Sequence, residues 1–85
     1  MRVELIYAPG CVECMTARSA LQSAAEAAVG GVEWREINVL EALDYAVELG
    51  VLTLPALAID GRLVFAALPT PAQLREELLR RSGHD

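Results

Sequence analysis

Residues 56–66 read ALAIDGRLVFA, two apolar runs on either side of Asp60-Gly61. Both central residues of a type I′ turn need a positive φ, and Asp-Gly is one of the few pairs that accept this. The stretch therefore predicts a tight β-hairpin. A lone hairpin is marginal in water, so other strands and a helix must cover it.

The rest of the chain offers those partners. Residues 3–7, VELIY, are rich in β-branched and aromatic side chains and predict a buried strand that "APG" ends. Residues 11–28 lack internal Gly and Pro and consist mostly of good helix formers. Met15, Leu21, Ala25 and Ala28 are expected near one face, with Gly30-Gly31 as the stop. Residues 32–39, VEWREINV, alternate imperfectly and predict a second strand. Asn38 with Glu41 three residues on suggests a capped helix over 40–49, ended by Gly50. Thr70, Pro71 and Gln73 give the last helix a capping box with proline at its first position, and Arg80 and Arg81 suit its negative end. Residues 82–85 are expected to fray. The predicted order β-α-β-α-β-β-α implies an α/β domain. It has a four-stranded mixed sheet flanked by three helices, and its first two strands are parallel with a right-handed crossover.

With 85 residues, 54% hydrophobic and 22% charged, the chain is sized for one packed domain, residues 1–85. The net charge is −5 and every cation is an arginine. Such a surface does not suit nucleic acid or an anionic membrane, both of which need clustered cations. No lysine is available as a base or Schiff-base former. The start of the chain lacks the apolar run of a signal peptide, and no stretch reaches transmembrane length. A cytoplasmic location is expected, where a Cys pair is more often catalytic or metal-binding than a permanent staple.

That pair lies in YAPGCVEC, residues 7–14. Cys11 falls where loop becomes helix. Free N–H groups and the positive dipole end favour an anion there, and a thiolate is the nucleophile of thiol–disulfide exchange. Cys14 returns to the same side of the helix, where it can resolve a mixed disulfide on Cys11. As a staple the pair would do little, since it closes almost no loop. A structural zinc site needs four ligands, and only His84, Met1 and Met15 could join the cysteines. Two chains could still share one metal.

Taken with TLP at 53–55 and IDGRLVFA as the hairpin, YAPGCVEC after an opening strand resembles the thioredoxin-like superfamily, and within it the small glutaredoxin-sized thioredoxins. The likeness spans nearly the whole chain. It implies a redox-active Cys11–Cys14 disulfide with Cys11 attacking and Cys14 resolving. It also implies a cis Pro55 beside the pair, and a substrate-binding segment Thr53-Leu54-Pro55 whose Leu54 backbone pairs with an extended partner. Three departures stand out. Gly10 replaces the tryptophan of larger thioredoxins. Val12-Glu13 replaces Gly-Pro, and the Glu13 charge should oppose ionisation of Cys11. Ala66-Ala67 replaces the glycines that glutaredoxins use near glutathione, so a glutathione site is not expected.

The expected function is thiol–disulfide oxidoreductase. Client proteins with disulfides are its substrates, a reductase is its electron donor, and no cofactor is needed beyond the cysteines. The alternative is a Cys-x-x-Cys carrier of copper resembling the small heavy-metal-associated chaperones, since soft thiolates suit Cu(I). In those carriers the second strand turns directly into a third, whereas here a helix and TLP intervene. Among other residues, Arg18 could approach the thiols but is expected to be solvated. Tyr7 and Trp34 are expected to be packing residues, Glu36 and Glu41 surface or capping groups, and His84 is expected to have no chemical role.

Overall fold

The computed structural model describes residues 1–82. Its elements are β1 (Arg2–Tyr7), α1 (Val12–Ala28), β2 (Glu33–Asn38), a 3₁₀ turn (Val39–Glu41), α2 (Leu43–Leu49), β3 (Ala56–Ile59), β4 (Arg62–Phe65) and α3 (Pro71–Ser82). The strands form one mixed sheet in the order β2-β1-β3-β4. β1 runs parallel to β2, with Leu5 opposite Glu36, and antiparallel to β3, with Ile6 opposite Ala56. This is the α/β arrangement the sequence predicts, four strands with three helices.

At the hairpin, Asp60 and Gly61 have φ of 50° and 79°, both positive as a type I′ turn requires. Asp60 also ties the turn to β1. Its N–H donates to the Arg2 carbonyl at 2.8 Å, and its Oδ1 accepts from the Arg2 N–H at 2.8 Å. Successive strand residues face opposite sides. Val3, Leu57 and Ile59 therefore meet Leu21 and Ala25 of α1 and Leu74 and Leu78 of α3 in one core cluster. α3 begins with the expected reciprocal caps: the Thr70 N–H donates to Gln73 Oε1 at 2.9 Å, and the Gln73 N–H to Thr70 Oγ1 at 3.1 Å. Arg80 and Arg81 lie in its last turn, where both pair with Glu77.

Three expectations are corrected. Met15 is 61% exposed. The buried stripe of α1 runs through Cys14, Leu21 and Ala25 instead, because the three- and four-residue steps back from Ala25 through Leu21 and Ala17 land on Cys14. α1 ends on Val29 in extended conformation rather than on a glycine. The helix expected over 40–49 is split: Asn38 Oδ1 caps only the 3₁₀ turn, and α2 starts at Leu43. After the break at Ala42 the Tyr45 hydroxyl reaches Glu4 of β1 and Ala46 is buried, and tertiary contacts of this kind override a local preference for one continuous helix. α3 reaches Ser82, and the remainder of the expected tail, with His84, lies outside the described residues.

The face of the sheet under α2 carries a buried acid. Glu4 is 2% exposed, and an ionised carboxylate is costly there unless paired. The Tyr45 hydroxyl donates to its Oε1, and Arg2 Nε lies 3.7 Å from its Oε2. The Tyr45 phenol is raised above the ordinary tyrosine value of 10.0, first by burial and then by the Glu4 carboxylate that accepts its proton. The folded-state value thus exceeds the unfolded one. The linked stability is complete below about pH 10 and is lost as pH rises through the folded value. Denaturant midpoints should therefore fall above about pH 10. Tyr45→Phe should remove that part of the fall, and an unchanged alkaline profile in the variant would count against it.

Candidate active site

β1 ends at Tyr7 and the chain turns at once. The Cys11 N–H donates to the Ala8 carbonyl at 3.2 Å, closing Ala8-Pro9-Gly10-Cys11. Proline second and a glycine at φ +84° third follow the type II pattern. The turn delivers Cys11 to the N-cap of α1 with φ −72° and ψ 100°. Its carbonyl accepts the Met15 N–H at 3.3 Å, and its Sγ accepts the Cys14 N–H at 3.2 Å. The sulfur stands where a serine or aspartate oxygen would cap a helix. The free N–H groups and dipole of that end stabilise negative charge on it.

Cys14 lies one turn further on and is joined to Cys11 as a disulfide with a Cα–Cα distance of 5.3 Å. That span suits a disulfide, and neighbouring turns of a helix supply it without backbone movement. The two sulfurs differ in access: Cys11 is half-buried, while Cys14 is 3% exposed.

The Leu54–Pro55 peptide bond is cis. The register of Ile6 with Ala56 brings Pro55 to the end of β1, from which the Cys11 turn departs. The Thr53 hydroxyl donates to the Ala66 carbonyl at 2.8 Å and ties this connection to the segment after β4. Leu54 remains 38% exposed. Residues 53–55 and the cysteine turn therefore share one end of the sheet.

Behind the disulfide, Leu5, Tyr7, Cys14, Met15, Arg18 and Glu36 line a cleft of about 140 Å³. Arg18 Nη1 donates to Glu36 Oε1 at 3.4 Å, and the Trp34 indole N–H donates to Glu36 Oε2 at 3.0 Å. The sequence alone suggests only packing or solvated roles for Tyr7, Arg18, Trp34 and Glu36, whereas the fold gathers them at this cleft. The four-residue step from Cys14 to Arg18 was a visible signal. Glu36 had none, because only the β1–β2 register brings it here. Glu41 is exposed in the 3₁₀ turn and does not line this cleft. Among the described residues, no group of three or more His, Cys, Asp or Glu is placed to hold a metal ion. No helix among them is long and apolar enough to cross a membrane. β2 leads into the 3₁₀ turn and α2, not directly into a third strand.

Gly10 has open space around its Cα, so its constraint is the backbone angle alone. Gly10→Ala should cost about 1–2 kcal/mol in denaturant-measured stability, the penalty of a left-handed side-chain-bearing residue. Gly30→Ala, in equally open space and without a positive φ, should stay within about 0.5 kcal/mol. Equal effects of the two substitutions would mean that the turn does not depend on the left-handed angle at Gly10.

Comparisons with known proteins agree with this geometry. The family model described as a thioredoxin domain matches residues 1–79. A thioredoxin of Methanocaldococcus jannaschii is 31% identical over 81 residues, covering 95% of each chain. Thioredoxin 1 of Thermosipho africanus superposes with a TM-score of 0.75 at 21% identity, covering 99% of this chain and 100% of that one. Malassezia sympodialis thioredoxin superposes at 0.72 with 19% identity, covering 96% of this chain and 75% of that one. A match of this extent, with the Cys-x-x-Cys disulfide at the start of α1, means that the chain belongs to the thioredoxin family and is a protein-disulfide oxidoreductase.

Proposed function

We propose that this oxidoreductase exchanges its Cys11–Cys14 pair with disulfides of client proteins, Cys11 attacking and Cys14 resolving. The observation that carries the assignment is the asymmetry of the two sulfurs. Cys11 is the more accessible and caps the helix, whereas Cys14 is nearly enclosed. A client sulfur can reach only the first, and the field of the helix end favours the thiolate there. Attack forms a mixed disulfide between Cys11 and the client. The Cys14 thiolate then attacks Cys11 Sγ, the client leaves as a thiol, and the Cys11–Cys14 bond closes. A separate reductase returns two electrons and regenerates the dithiol, and a reducing compartment such as the cytoplasm suits this cycle.

Client recognition is assigned to Thr53, Leu54 and Pro55. Leu54 is exposed at the sheet end that carries the cysteines, and an extended client segment can pair with its backbone by strand addition. Thr53 holds the connection in place through Ala66. Val12 and Met15 flank the cysteines and are exposed, giving the rim an apolar character that suits unfolded or extended segments.

The test is a pair of serine substitutions. Cys14→Ser should leave attack intact and accumulate client proteins on Cys11 as mixed disulfides detectable by mass spectrometry. Cys11→Ser should trap far less and lose disulfide reduction. Alkylation of the two single variants against pH should find the Cys11 thiol the more reactive. If Cys14 alkylates first and captures the clients, the roles are reversed.

A further inference from the structure

Resolution requires a thiolate on a sulfur that the fold has almost enclosed. The Cys14 side chain faces the cleft of about 140 Å³ among Leu5, Tyr7 and Met15, and it is 3% exposed. Charge on sulfur in such surroundings is costly unless an opposite charge faces it. The ionisable side chains lining the cleft come from three elements: Tyr7 from β1, Arg18 from α1 and Glu36 from β2. Glu13 is exposed on the first turn of α1, and residues 51–55 carry no charged side chain. Arg18 is the single cation among the residues lining the cleft.

Arg18 is also held. It sits four residues after Cys14, hence on the same side of α1 one turn further on. Its Nη1 donates to Glu36 Oε1 at 3.4 Å, and Glu36 Oε2 accepts the Trp34 indole N–H at 3.0 Å. The Leu5–Glu36 register fixes that carboxylate on the strand beside the cleft. The Arg18 side chain is 47% exposed, so the ion pair itself contributes little to stability. A flexible surface cation is thus tethered at both ends, to the helix that carries Cys14 and to the sheet behind it.

We propose that Arg18 stabilises the Cys14 thiolate during the resolving step, with Glu36 and Trp34 as positioning residues that keep its guanidinium at the cleft. The inference rests on the reading of Cys14 as the resolver. In the step, the Cys14 S–H of the mixed disulfide gives its proton to water at the open cleft. The thiolate attacks Cys11 Sγ, the Cys11–Cys14 bond forms, and the bond from Cys11 to the client breaks. The client sulfur departs as a thiolate and takes a proton from solvent. The two electrons of the dithiol end on the two client sulfurs, and Arg18 exchanges no proton.

The experiment mixes the fully reduced full-length protein with dithiobis-nitrobenzoate, an aromatic disulfide that releases a coloured thiolate at each step. Stopped-flow absorbance separates a first release, from attack by Cys11, and a second, from resolution by Cys14. Arg18→Gln should leave the first phase in place. It should move the pH midpoint of the second upward by about half a unit to one unit, a discount on the usual effect of an adjacent opposite charge because the site is partly solvated. At neutral pH the second phase then slows by about three- to tenfold. Arg18→Lys, which keeps the charge, should recover most of that loss. The thermal midpoint of Arg18→Gln should match that of the unsubstituted protein, which excludes a general loosening of the fold. A second phase with an unshifted pH profile in Arg18→Gln overturns the proposal. So does a second phase slowed tenfold in Glu36→Gln while Arg18→Gln is unshifted, since the carboxylate would then be a proton acceptor. Release of only one equivalent of the coloured thiolate by the unsubstituted protein would instead defeat the assignment of Cys14 as resolver.

Discussion

β1 is paired along its length on both sides, parallel to β2 through Arg2–Tyr7 and antiparallel to β3 through Val3, Glu4, Leu5 and Ile6. Its residues from Val3 to Ile6 are buried on both faces. A strand so confined has one register available, because a slip of one residue would exchange the two faces. The rest of the molecule follows from that register. Val3 enters the core under α1 and α3, while Glu4 is sent to the α2 face to meet Tyr45. The hairpin turn is clamped to Arg2 at one end, and the cysteine turn leaves Tyr7 at the other. Because β1 cannot slide, the first atom of the active-site turn has a fixed position relative to Pro55 and Glu36.

The two faces of the sheet solve different problems. The α1–α3 face is made of apolar side chains at zero exposure, and its stability comes from area removed from water. The α2 face is covered by a seven-residue helix whose outward residues include the exposed Leu43 and Val47. Under it lies a carboxylate that needs partners. The Arg2–Glu4–Tyr45 group satisfies this acid, and no buried side-chain nitrogen or oxygen among the described residues lacks a hydrogen bond. A satisfied polar group of this kind favours one arrangement of α2, since any other would leave Glu4 Oε1 without the Tyr45 hydroxyl.

At the active site the helix does three separate things. Its first turn brings two sulfurs to bridging distance, its N-terminal N–H groups face the outer sulfur, and its buried stripe carries the inner one into the protein. Difference in access between chemically identical side chains then follows from their place on the helix. Arg18 continues the same side of the helix by one further turn, so the inner sulfur, its cation and the sheet carboxylate are aligned by secondary structure rather than by loops. This is a rigid way to hold groups whose mutual distance matters.

Much of this was legible in the chain. Asp60-Gly61 named the hairpin, Thr70 with Gln73 named the start of α3, and Cys11 before a glycine-free helical run named the redox pair. Each is a local rule, decided by a few dihedral angles or by side chains three residues apart, so neighbours in sequence suffice to reveal it. Tertiary structure alone decided what depended on distant partners. Arg18 meets Glu36 across 18 residues, Tyr45 meets Glu4 across 41, and Asp60 meets Arg2 across 58. The offset of α2 to Leu43 and the exposure of Met15 belong to the same class. A periodic pattern states that a face will be buried, but the surface it meets chooses which residues lie at its centre and which charges stand opposite.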